Sequence, residues 1–293
     1  MNPRRLLGPA LAAPSVLYML VFFFLPAGFL LVYSFWVAAG FHIVPALSLT
    51  NYWASITSPL FLGVAWNAVL IGMITATVCL VLSIPTAYYL SYVTHSKIIY
   101  YAILITWFSS YLVRIYAWRT LLGTNGLLNT LLMQLGVIDA PISALLFSRF
   151  AVAIALTHIY LPFCILLVIA ALSDIKKELI EAARDLGTTA TGAFFKVIAP
   201  NAANGLVGAF MLTFLLVSGD YVTPQMLGGT TGQTTGLLIA DHFRKSGNWP
   251  LGAAEAFIVF LISATIYGLI IVVGRLVGVI PRTRRSVASR ENA

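Results

Sequence analysis

The sequence predicts an all-α membrane protein with six transmembrane helices, and three observations carry that prediction. Of its 293 residues 60% are hydrophobic and 9% charged, at a mean hydropathy of +0.95, whereas soluble domains carry about 25% charged residues. No Asp, Glu, Lys or Arg occurs between Arg5 and Lys97. Apolar runs long enough to cross a bilayer recur six times along the chain. The whole chain, 1–293, reads as a single transmembrane domain.

The first run, Pro14–Val37, follows Arg4 and Arg5 and mimics a secretory leader. Its only small-residue cleavage pattern, Ala10-Leu11-Ala12, precedes the long apolar core instead of following it, so an uncleaved first span is expected. Residues 39–62 then hold two prolines with Tyr52 and Trp53, an interfacial loop or short re-entrant piece. The second span is Val64–Val93 and the third Ile98–Leu121, with Pro85 a tolerable kink inside a bundle. Gly123-Thr124-Asn125-Gly126 opens an outer connection in which Leu127–Leu135 suits a short helix on the surface. The fourth span is Phe150–Leu172, with Pro162 as a second kink point. The fifth, Gly205–Leu227, and the sixth, Leu251–Ile280, flank a connection rich in Gly and Thr. Cys79 and Cys164 fall inside different spans and are expected to pack as small apolar residues, unbridged.

Between the fourth and fifth spans lies the most charged internal stretch, Ser173–Asn201. Asp174 suits an N-cap, Ile175–Leu186 a helix, and Gly187 a helix stop. Ile180, Ala183 and Gly187 would share one face, with two small residues that let another surface come close. Lys and Arg set the orientation. Arg4, Arg5, Lys97, Lys176, Lys177, Arg184, Lys196, Arg282, Arg284, Arg285 and Arg290 fall on one side, with Arg275 near it. Arg244 and Lys245 fall on the other, with Arg119 and Arg149 near its interface. The first side is therefore expected to be cytoplasmic, with both termini and residues 173–201. The formal net charge of +8 follows from this loop and tail topology better than from nucleic-acid binding.

No G-x-x-x-x-G-K-[ST] phosphate loop is present, and no Lys follows a Gly. Neither H-E-x-x-H, C-x-x-C nor G-x-S-x-G occurs, so no catalytic residue and no metal ligand is expected. Charges inside spans are costly and mark functional candidates. Arg114 and Asp220 are the clearest, and Glu255 sits just inside the last span. Sixteen residues separate Ile98 from Arg114 and Asn204 from Asp220, which puts both about 24 Å from the cytoplasmic ends. An Arg114–Asp220 pair is expected, either permanent or one in which an arriving cation displaces the guanidinium.

Glu181-Ala182-Ala183, then Gly187, then Val197 and Pro200 resemble the EAA signature of ABC importer permeases, departing at Ala199 where that family usually has Leu. LVRIYAWRTLLGTNGLLN, SGDYVTPQMLGG and NWPLGAA, with EAARDLG, look like the permease subunits of spermidine/putrescine ABC importers. The resemblance runs from the first span to the last. It implies a type I importer permease fold in a bacterial inner membrane. It also implies a second homologous permease subunit, a dimer of ATPase subunits and a periplasmic substrate-binding protein. ATP would be used by the partner ATPase, and this chain would bind no cofactor and catalyse no covalent chemistry. Glu181, Ala182, Ala183, Asp185, Gly187 and Pro200 would carry the coupling contact to the ATPase. Asp220, Tyr221, Arg114 and Glu255 would line the path of a polyamine. Rival readings are an ABC permease for an opine, an amino-acid derivative or a chelated metal, and an ion-driven secondary transporter. For the last, midplane acids and a matched pair of broken helices are expected, and neither is evident.

Overall fold

A computed structural model describes residues 3–40, 42–94 and 96–276, with side chains from Leu11 onward. Arg282, Arg284, Arg285, Arg290 and the predicted end of the last span lie outside the described residues. The chain divides into two compact units, one comprising the chain up to Trp66 with Thr235–Ile262, the other Asn67–Thr234 with the chain from Ser263.

In the first unit, α1 (Pro3–Met19), a π-helical turn over Leu20–Phe24 and α2 (Leu25–Ser34) form one long helical run. Its crossing part, Leu11–Ser34, starts slightly before the predicted Pro14. Leu17, Phe22 and Phe23 are more than half exposed, as suits a helix whose neighbour is lipid or another chain. The predicted interfacial loop contains a short antiparallel hairpin, β1 (Val37–Ala39) with β2 (His42–Val44), then α3 (Thr50–Thr57). A buried polar knot ties them: Asn51 Nδ2 donates to the Ser34 and Trp36 carbonyls at 2.9 and 2.7 Å, and Tyr52 Oη meets Ser34 Oγ at 2.7 Å.

The second unit holds most of the core. Into it run α4 (Pro59–Tyr88) and the π turn Tyr89–Val93; then come α5 (Ile98–Phe108), α6 (Tyr111–Leu122), α7 (Leu127–Gln134), α8 (Arg149–Ser173), α9 (Lys177–Asp185), α10 (Ala190–Ala193), the π turn Phe194–Ile198, and α11 (Ala199–Ser218). The most extensive packing is α8 on α11. Gly205 lets α11 approach so closely that an added Cβ would stand 2.4 Å from Ala171 Cβ. Gly72 on α4 does the same against Phe214 and Ser218. Cys79 and Cys164 are both free and buried in one cluster with Val168, Leu172 and Ile198.

Two span predictions need correction. The third is not one helix, because the chain is extended at Ser109 (ψ 151°) and Ser110 (ψ 126°), and α5 meets the helical stretch Tyr111–Gln134 at 87°. Hydropathy stays high across the break, and only two serines punctuate it. The fifth span is shifted toward the N-terminus, since one helical run covers Ala190–Ser218 and stops at Gly219. Pro200 stands just past the π turn Phe194–Ile198, where its missing N–H removes one bond from a ladder already changing register, and Thr189 starts the run as an N-cap accepting from Gly192 N at 3.1 Å. The fourth span matches its prediction within a residue at each end.

Beyond α11, the π turn Pro224–Gly228 precedes α12 (Thr235–Asp241), the π turn His242–Ser246 and α13 (Trp249–Leu276). Gly247, at φ +64°, supplies the left-handed reversal into α13.

Candidate functional site

The charged loop is built as an amphipathic helix with its apolar side turned inward. Ile180 is 7% exposed and Ala183 packs with it on the cluster that holds Leu172, Ile175, Ala193 and Ile198. Two of the three residues expected on a partner-facing side, Ile180 and Ala183, are thus taken up by the chain's own core, while Gly187 is left exposed. The free side of α9 carries Glu181, Ala182 and Asp185, flanked by Leu179 and by Leu186, which is 86% exposed. Asp174 is not the N-cap of α9; it closes the C-terminus of α8, and Lys176 stands at the N-cap without a side-chain bond. Gly187 stops the helix at φ +80°. An added Cβ there would meet nothing within 4 Å, so backbone conformation alone selects glycine. Val197 and Pro200 lie half-buried in the helical run into α11. Tyr92 Oη donates to the Leu172 carbonyl at 2.7 Å, and Tyr88 meets Phe194 edge-on at 6.1 Å. These contacts fasten the loop to the end of α4.

A buried polar cluster sits just beyond the end of α11. Asp220 is 8% exposed and follows the helix instead of lying within it. Its Oδ1 accepts from the Val222 and Thr223 backbone N–H groups at 2.9 and 3.4 Å, which caps the next helical turn. Its Oδ2 accepts from Tyr111 Oη at 2.5 Å and from Thr223 Oγ1 at 2.8 Å. Arg114 is not its partner. The Arg114 guanidinium donates to the Ile159 carbonyl at 3.0 Å and the Ser109 carbonyl at 3.3 Å, and no ion pair joins it to any acid among the described residues. The break at Ser109 is part of the physical reason: it frees the Ser109 carbonyl for a buried cation one turn along in sequence, and α8 supplies the second acceptor at Ile159. Tyr221 is partly exposed beside Asp220.

Glu255, 3% exposed on α13, has a different environment. His242 Nε2 stands 3.4 Å from its Oε2. The approach requires Gly252, where a Cβ would meet the Phe243 ring at 3.1 Å and His242 Cβ at 3.3 Å. The pairing with Glu255 raises the His242 pKa above its ordinary value, burial opposes that, and the charges of Glu255 and Asp241 reinforce it. Lys245 is held by Asp241 at 2.8 Å.

Sequence reasoning missed Tyr111, Thr223 and His242. Nothing in the order of residues links Tyr111 to a carboxylate 109 positions away. Thr223 was within reach as the fourth residue of an Asp-x-x-Thr cap, and His242 as the arm opposite Glu255 across the Gly247-Asn248 turn.

No protein-family model matches the sequence. The chain is 32% identical over 242 residues to the spermidine/putrescine transport system permease protein PotB of Haemophilus influenzae, a match covering 81% of this chain and 83% of that protein. It is 30% identical over 241 residues to the protein of the same name from Escherichia coli K12, covering 82% and 87%. In three dimensions it is similar to a chain of a bacterial alginate ABC transporter crystallised with its pentasaccharide-bound periplasmic protein, at a TM-score of 0.72 and 14% identity over 96% of this chain and 98% of that one; at such identity the likeness speaks for the fold. With its apolar spans, its EAA loop and two relatives matched over most of their length, the chain belongs to the family of spermidine/putrescine transport system permeases, the membrane-spanning subunits of ABC importers.

Proposed function

We propose that this chain is one membrane subunit of an ATP-driven importer taking up polyamines delivered by a periplasmic binding protein. The observation that carries the coupling role is the free face of α9, where Leu179, Ala182 and Leu186 form a ridge beside the acidic pair Glu181 and Asp185. An apolar ridge with an acidic row along one side, on a helix whose other side is locked to the core, suits a rigid plug for a groove on an ATPase subunit. ATP is then consumed by that partner, this chain holds no cofactor, and a second permease completes the path. The Lys and Arg distribution supports residues 173–201 and both termini facing the cytoplasm.

The names of the relatives support a polyamine cargo. Among the acids expected on the path, Glu255 is the one assigned to an arriving ammonium, because its buried Oε2 makes no hydrogen bond among the described residues and faces His242 at 3.4 Å, a contact that an ammonium can replace. Asp220 already accepts from two hydroxyls and two backbone N–H groups, so its part is to shape the outer end beside Tyr221. Arg114 holds the broken third span. Vesicles containing this chain, its sister permease and the ATPase test the proposal. Uptake of labelled spermidine that needs both ATP and the binding protein, and that putrescine competes away, is the expected result. ATP hydrolysis without polyamine uptake, or uptake driven by an ion gradient alone, would overturn it.

A further inference from the structure

At the opposite end of the second span from residues 59–62, the chain leaves the π turn Tyr89–Val93, crosses four residues and enters α5. A cavity of about 430 Å³ opens there between that turn and the end of α8. Ser91, Thr94, Ser96 and Lys97 line it, with Tyr100 and Tyr101 on the first turn of α5 and the apolar Leu90 and Ile169 beside them. It is separate from the apolar cleft formed by Ile84, Pro85, Tyr88, Tyr89 and Phe194 near the base of the charged loop.

The hydrogen bonds of this cavity are lopsided. Ser91 Oγ is buried without a partner. Thr94 Oγ1 accepts from Ser96 N at 3.0 Å and Ser96 Oγ accepts from Ile98 N at 3.4 Å, yet neither hydroxyl proton reaches an acceptor among the described residues. Among the described lining residues only Ser173, on the far wall, spends its proton, on the Ile169 carbonyl at 2.7 Å. Lys97 forms no ion pair among the described residues, and no carboxylate is among the lining residues. The N-terminus of α5 adds its partial positive charge. Unspent hydroxyl donors and one cation, with no carboxylate among the described lining residues, suit an anion. Its place, at the turn between two apolar stretches and with aliphatic and aromatic walls, is where a bilayer presents its phosphates.

We propose that this cavity binds the phosphodiester headgroup of an anionic phospholipid, with Lys97 as the charge partner, the Ser91, Thr94 and Ser96 hydroxyls as donors, and Leu90 and Ile169 against the first methylenes of an acyl chain. The site is independent of the cargo and of the ATPase contact. A single lysine at a membrane surface contributes about fivefold to the affinity for an anionic lipid.

The test uses the full-length chain in nanodiscs of phosphatidylcholine mixed with phosphatidylglycerol, followed by mass spectrometry of the lipids retained on release. The wild type should retain phosphatidylglycerol preferentially. Lys97→Gln should lower that preference about fivefold, while Lys196→Gln, which removes the same charge elsewhere, should leave it unchanged. On the unmodified chain, acylation of Lys97 relative to Lys196 should be slower in the mixed nanodiscs than in phosphatidylcholine alone, a reading that needs no variant to fold. Equal retention by wild type and Lys97→Gln, or equal acylation of Lys97 in both lipids, would overturn the proposal. Release of the bound lipid by excess inorganic phosphate would also overturn it, assigning the cavity to a soluble anion.

Discussion

Four donors converge on the Asp220 carboxylate, one of them from Tyr111 on the far side of the broken third span. Tyr111→Phe should therefore destabilise the protein by about 1.5–3 kcal/mol, the range for a hydrogen bond to a charged group, read as a lower unfolding midpoint in detergent. Because Arg114 bonds to carbonyls and shares no hydrogen-bond partner with Asp220, Arg114→Gln and Asp220→Asn should add within about 0.5 kcal/mol in a double-mutant cycle. Rescue of one by the other would mean that the two charges are paired after all. Sequence showed that both residues would be buried and in need of partners, as they are. It paired them wrongly because equal distance along two helices says nothing of how those helices are turned or where they stop. His242 gives a pH signature. Glu255 raises its pKa, so the stabilisation is complete below the ordinary imidazole pKa and fades as the pH rises through the raised one. Hydrogen exchange of residues 242–255 should accelerate over that rise, and His242→Gln should flatten the dependence.

At the level of elements, small residues decide how closely helices meet. Gly205→Val would force a branched side chain onto Ala171, where even a Cβ lacks room, and should cost about 1–3 kcal/mol by overpacking, measurable as loss of folded protein on heating. Gly187 makes a contrasting case, with open space but a left-handed backbone. Gly187→Val should strain the loop by about 1–3 kcal/mol and weaken co-purification of the ATPase, whereas Gly187→Asn, which tolerates that conformation, should retain most of it. Normal ATPase retention by the valine variant would remove the loop geometry from the coupling account. The helices themselves were largely legible because a bilayer demands long apolar runs. The break at Ser109–Ser110 was not, since a chain whose freed Ser109 carbonyl finds the Arg114 guanidinium can leave helix without leaving apolar sequence. Nor was the inward turn of Ile180 and Ala183, which depends on where Leu172 and Ile198 come to rest.

For the molecule as a whole, topology is the quantity to measure. Lys177→Cys and Lys196→Cys should react with an impermeant thiol reagent only after cells are opened, and Thr230→Cys should react in intact spheroplasts; the reverse pattern would invert the orientation. Gly232 is unsuited to such labelling, since a Cβ there would stand 2.5 Å from Gly228 Cα. The helical run Ala190–Ser218 has a mechanical consequence. Its 29 residues make a strut about 43 Å long, whose foot is the second half of the charged loop and whose head ends beside Asp220. No slack linker separates the two, so a tilt imposed at the foot swings the head, and a twist at the foot arrives there as torque. The π turn Phe194–Ile198 sets the angle between them, and deleting a single residue within it would turn foot against head by about 100°, leaving a transporter with every part intact and its drive out of phase.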